Sequence, residues 1–135
     1  MQITSHQAGF ELLRDLLAEG REVTVRIEGR SMLPFFRSGA RIRLHPIRPD
    51  DLQRGHVVLG QTDAGSFVIH RVRRIGAERI ILQGDGNPVG TESIPRGRIY
   101  GAVACSPLHL LLGRLWMRLG SFRKYPLWLL KRYGL

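Results

Sequence analysis

Cysteine is nearly missing: Cys105 stands alone among 135 residues, which excludes an intramolecular disulfide framework and a cysteine-based metal cage. Long apolar runs are missing as well. The uncharged run Tyr100 to Gly113 is shorter than the ~20 residues a membrane-crossing helix needs. The first twenty residues carry Glu11, Asp15 and Glu19 and no long apolar core, so they read as neither a secretory signal nor a span. His6, His45, His56 and His109 show no paired ligand spacing, and no metal or cofactor is expected. Internal repeats and low-complexity tracts do not occur, and an apolar share of 43% is that of a packed domain.

Acid is missing from the chain beyond Glu92. All 11 carboxylate residues lie at or before Glu92, whereas Arg96, Arg98, Arg114, Arg118, Arg123, Lys124, Lys131 and Arg132 follow. The formal net charge of +10 is therefore concentrated towards the C-terminus, where it would attract an anionic membrane or nucleic acid.

What is present is enough for one domain with one core. Leu12, Leu13, Leu16 and Leu17 fall at helical spacing, with Ser5 as N-cap candidate and Gly20 placed to stop the helix. Val23, Val25 and Ile27 then alternate with polar residues in the period of a half-buried strand. Further short strands are expected over 41–45, 56–59, 66–74, 78–83 and 98–105, separated by turn-forming stretches. The expected class is mainly β, a coiled β-barrel or sheet with an amphipathic helix before it. A domain over 1–105 is followed by a basic helical tail over 106–135. In that tail Leu108, Leu111, Leu112, Leu115, Trp116 and Leu119 share one helical face, and Pro126 opens a second short helix over 127–133.

Three stretches carry chemistry. Ser31 follows the first strand in Gly29-Arg30-Ser31-Met32-Leu33-Pro34, where Gly29 permits a tight turn and Pro34 stiffens the chain beyond it. A serine hydroxyl is a poor nucleophile until a base takes its proton. His70, in Phe67-Val68-Ile69-His70-Arg71-Val72, shares a strand face with Val68 and Val72, and an imidazole suits that task near neutrality. Asp85 lies in the Gly-rich turn Gln83-Gly84-Asp85-Gly86-Asn87-Pro88, where it either orients the imidazole or makes an ordinary Asp-Gly turn.

Taken in order, these pieces resemble type I signal peptidases and the wider family of signal-peptidase-like and repressor-cleaving serine proteases. Ser31-Met32-x-Pro34 resembles the family's nucleophile box, Arg54-Gly55-His56-Val57-Val58 a strand box, and His70-Arg71-Val72 the box holding the general base. Gly84-Asp85-x-Asn87 is similar to the Gly-Asp-Asn box, and Ile94-Pro95 to Val103 to the closing strand. The resemblance runs over 23–103, and joint occurrence in order is what gives such short motifs weight. Histidine at the base position places it with the Ser–His branch, of endoplasmic-reticulum and archaeal type.

What the resemblance implies is a serine endopeptidase without cofactor, with Ser31, His70 and Asp85 catalytic, acting on a leader or signal-type peptide with small residues near the cleaved bond. Departures from the pattern are specific. Gly29 stands where many members have a second oxyanion donor, Ala40 and His56 replace acidic residues, and no anchor-like apolar segment precedes the first strand. The acid that orients His70 stays open between Asp85, Glu92 and none. Expected placement is cytoplasmic or membrane-peripheral, with 106–135 either covering the β domain by its Leu face or meeting a membrane. The rival reading is a non-catalytic basic module for nucleic acid or a membrane surface, on which Trp116, Phe122, Tyr125, Trp128 and Tyr133 would interleave with cations. Nucleic acid ranks below the peptidase, because Leu-rich spacing around those rings belongs to packing or an interface.

Overall fold

The computed structural model describes residues 2–4 and 7–134; Ser5, the expected N-cap, lies outside them. Helix α1 spans Gln7–Ala18 and buries Leu13, Leu16 and Leu17, while Gly20, at φ +85°, turns the chain out of it. Eight strands follow the expected order with two additions: β1 (Gln2–Thr4), β2 (Val23–Arg26), β3 (Arg41–Pro46), β4 (Val57–Gln61), β5 (Phe67–Ile75), β6 (Arg79–Gln83), β7 (Glu92–Pro95) and β8 (Ile99–Val103). The additions are β1 and β7. The stretch read as one closing strand divides at a 3-10 turn over Arg96–Arg98, and Cys105 falls beyond β8.

One sheet contains all eight strands in the order β1-β2-β3-β8-β4-β5-β6-β7. Its neighbours pair antiparallel except β1 with β2. The mainly β expectation is met, with helices at both ends.

Alternating side chains give the sheet two apolar faces, and each has its own core. Val23, Val25, Leu44, Val57, Leu59 and Ile69 pack with the leucines of α1 on one. Val58, Val72, Ile80, Leu82, Ile94 and Ile99 pack on the other, and among the described residues no α-helix contributes to that cluster. The sheet supplies its own cover there by coiling. A Cβ on Gly60 of β4 would come within 2.9 Å of Ile94 Cδ1, although β7 is three places away in the sheet.

The tail forms α2 (Pro107–Met117), a 3-10 turn (Gly120–Arg123) and α3 (Lys124–Arg132). Ser106 caps α2 by accepting from His109 N–H at 3.1 Å, and Pro107 takes the first turn, where its missing N–H costs nothing. Pro126 is the third residue of α3, not its opener. The Leu face of α2 does not cover the domain. Leu108, Leu111, Leu112, Leu115 and Leu119 are all exposed, and the helix packs inward through Gly113, His109 and Trp116.

Candidate active site

The turn at Ser31 grows out of the end of β2. Ile27 still pairs across to the β3 side, its N–H donating to Ala40 O and its carbonyl accepting from Gly39 N. Gly29, at φ +92°, then takes a conformation that side chains disfavour, and its N–H donates to Ser38 Oγ at 3.2 Å. Beyond it Leu33 N–H reaches back to Arg30 O and Phe36 N–H to Met32 O, while the Met32 and Leu33 side chains are buried. Ser31 is thus held on a closed turn with its side chain half-buried at a cleft. Its hydroxyl and its N–H take no hydrogen bond among the described residues.

His70 lies on β5 opposite Val58 of β4 and is 6% exposed. Its Nδ1 is hydrogen-bonded to Glu92 Oε1. Register explains the meeting: Glu92 pairs with Leu82 of β6, and Leu82 with Val72 of β5, two residues along the same face from His70. A carboxylate accepts only, so in the neutral ring Nδ1–H is the donor and Nε2 keeps its lone pair. Nε2 points towards the Ser31 turn. A Cβ built on Gly84 would lie 3.1 Å from it and would collide on its other side with the Ser31 carbonyl oxygen.

Asp85, read as a candidate partner for the imidazole, is placed elsewhere. Its two oxygens accept from Arg71 Nε and Nη2 at 2.8 and 2.7 Å, in a pair with both side chains fully buried. Strand alternation is the cause, because Arg71 follows His70 and projects to the other side of β5. Arg71 also donates to Gly55 O at 2.8 Å and lies 4.8 Å from the centre of the Phe35 ring. Burial pushes the Asp85 carboxyl above its ordinary range, and Arg71 pulls against that shift. The pair therefore joins β5, the 84–87 turn and the segment after Ser31, and leaves His70 to Glu92.

The 84–87 turn is gripped from two sides. Gly86 N–H donates to Ser31 O at 2.8 Å, and any Cβ on Gly86 would strike Arg30 O. From the tail, Trp116 Nε1 donates to Asp85 O at 2.9 Å and Arg123 Nη2 to Asn87 O at 3.0 Å. Gly113 leaves room for the Arg71 guanidinium, whose Nη2 lies 3.2 Å from His109 Nε2. Burial, then the charge of Arg71, lowers the His109 pKa, so the ring stays neutral and accepts. None of these tail contacts was foreseen; the only hint was a glycine within an otherwise bulky helix.

Ser31 and His70 share a cleft of about 230 Å3, walled by Phe10, Ile27, Met32, Phe67 and Ile69. Phe10 of α1 stacks on Phe67 with 5.4 Å between ring centres, so the helix forms one wall. Cys105 lines a different, polar hollow with His45 and His56. Burial pushes its thiol up to about 11, which keeps it protonated and unreactive near neutrality. Among the described residues, no three His, Cys, Asp or Glu side chains gather as a metal site. Compared with known proteins, the chain matches no family model and no curated sequence.

Proposed function

We propose that this protein is a serine endopeptidase of signal-peptidase-like type that uses Ser31, His70 and Glu92. The observation that carries the reading is the part-buried His70–Glu92 bond, which leaves Nε2 facing the turn where the Ser31 hydroxyl takes no hydrogen bond among the described residues. Ser31 Oγ attacks the peptide carbonyl carbon as His70 Nε2 takes the hydroxyl proton, and Glu92 holds the resulting imidazolium in place. The Ser31 N–H is available to the developing oxyanion. Collapse breaks the C–N bond, the leaving amine takes the proton from His70, and an ester on Ser31 remains. Water then attacks that ester with its proton passing to His70. The C–O bond to Ser31 breaks, and the hydroxyl recovers the proton.

Phe10, Ile27, Met32, Phe67 and Ile69, which line the cleft together with Glu28, suit a peptide with small or apolar residues beside the cleaved bond, in a leader or signal-type substrate. A library of such peptides, with products mapped by mass, tests the reading. Cleavage by the wild type that is lost in Ser31→Ala, and reduced ~10²- to 10⁴-fold in Glu92→Gln, is the expected outcome. Equal products from folded Ser31→Ala would end it.

A further inference from the structure

The tail carries a second surface that shares no residue with the cleft. Leu108, Leu111, Leu112, Leu115 and Leu119 recur three and four apart, so they form one stripe along α2 and its end. They are between 41% and 64% exposed, opposite the side that Gly113 turns to the domain. The last helix repeats the arrangement. Leu127 is buried, while Tyr125, Trp128 and Leu129 stand 62%, 61% and 49% exposed at the same spacing. Between the helices Phe122 is 70% exposed. Stripes of exposed apolar side chains at helical spacing differ from the scattered residues of an ordinary surface and mark a contact site.

Charge identifies what covers it. No carboxylate follows Glu92, and Arg118, Lys124, Lys131 and Arg132 are exposed around the stripes. Lys124 Nζ lies 5.2 Å from the centre of the Tyr125 ring, and the Arg132 guanidinium 5.3 Å from that of Trp128. Rings beside cations, next to leucines, match the boundary between acyl chains and anionic headgroups. A second copy would bring the same positive charge against this one. Nucleic acid would satisfy the cations and leave the leucines facing phosphate. Among the described residues no helix is long and apolar enough to cross a membrane, so the helices would lie along its surface.

We propose that the α2–α3 surface docks on an anionic lipid bilayer and holds the domain there by its grip on the 84–87 turn. Sedimentation of the full chain with phosphatidylcholine vesicles, with and without phosphatidylglycerol, tests this. Binding should require the anionic lipid and weaken as salt is raised. Leu111→Asp with Leu115→Asp, and separately Lys124→Glu with Lys131→Glu, should each reduce partitioning by ~10-fold or more, with unchanged circular dichroism. No sedimentation at low salt, equal binding to both vesicles, or wild-type binding by the leucine variant would overturn the proposal. So would self-association, or oligonucleotide binding, that replaces vesicle binding and is lost in the same variants. Peptide cleavage in solution is measured in parallel, so failure to dock and failure of the peptidase reading are told apart.

Discussion

At the scale of single residues, the two carboxylates weighed as partners of His70 have separate partners. Glu92 meets the imidazole, and Asp85 neutralises an arginine that is only 1% exposed. Removing one member of a buried pair leaves the other charged without a partner, so Arg71→Ala should lose about 3–5 kcal/mol of stability in denaturant unfolding. A loss within the range of a surface substitution would mean that Asp85 finds another partner. Gly84 makes a different demand, because its missing Cβ is the space between the Ser31 carbonyl and His70 Nε2. On the proposed mechanism, Gly84→Ala should cut peptide cleavage by ~100-fold through displacement of the Ser31 turn, even where the fold survives. Wild-type rates in that variant would show that the turn shifts without consequence.

Among the elements, α2 packs against the buried Arg71 guanidinium through His109 and Gly113. His109 faces Arg71 and the rings of Phe35 and Phe36, and its pKa is lowered chiefly by burial and then by Arg71. The unfolded chain thus binds a proton at this position more readily than the folded one does. Stability contributed by neutral His109 is complete above the unfolded pKa of about 6.5 and is lost as pH falls from there towards the lowered folded value. His56, also lowered mainly by burial, adds slope of the same sign. His109→Gln keeps an acceptor for Arg71 without a titration, so it should flatten part of the fall in urea midpoint between about pH 7.5 and about pH 5.5. An unchanged slope would remove His109 from the balance. The leucines of α2 were legible as a stripe, but the direction they face was not. That direction is set by Gly113 against Arg71, a contact between residues 42 apart in sequence that no helical period encodes.

For the whole molecule, the mainly β class and the helices at both ends could be read from alternation at Val23–Ile27 and leucine spacing in 12–17 and 108–119. Short elements escaped: β1 carries three residues, and β7 only four. Overlooking β7 also obscured Glu92, since its meeting with His70 depends on two successive hairpin registers. Ser31 and His70 could be singled out as candidates because each sits in a local motif, whereas their shared cleft is a product of the coiled sheet and of Phe10 on α1. The central claim is that this coiling makes Ser31 and His70 one catalytic unit. Its most direct test is the kinetic cycle of Ser31→Ala, His70→Ala and the double variant on one cleaved peptide, with folding checked in each. The double variant should be no slower than either single one, because each loss already removes the whole unit. Independent, multiplying losses, or wild-type cleavage by folded His70→Ala, would contradict it.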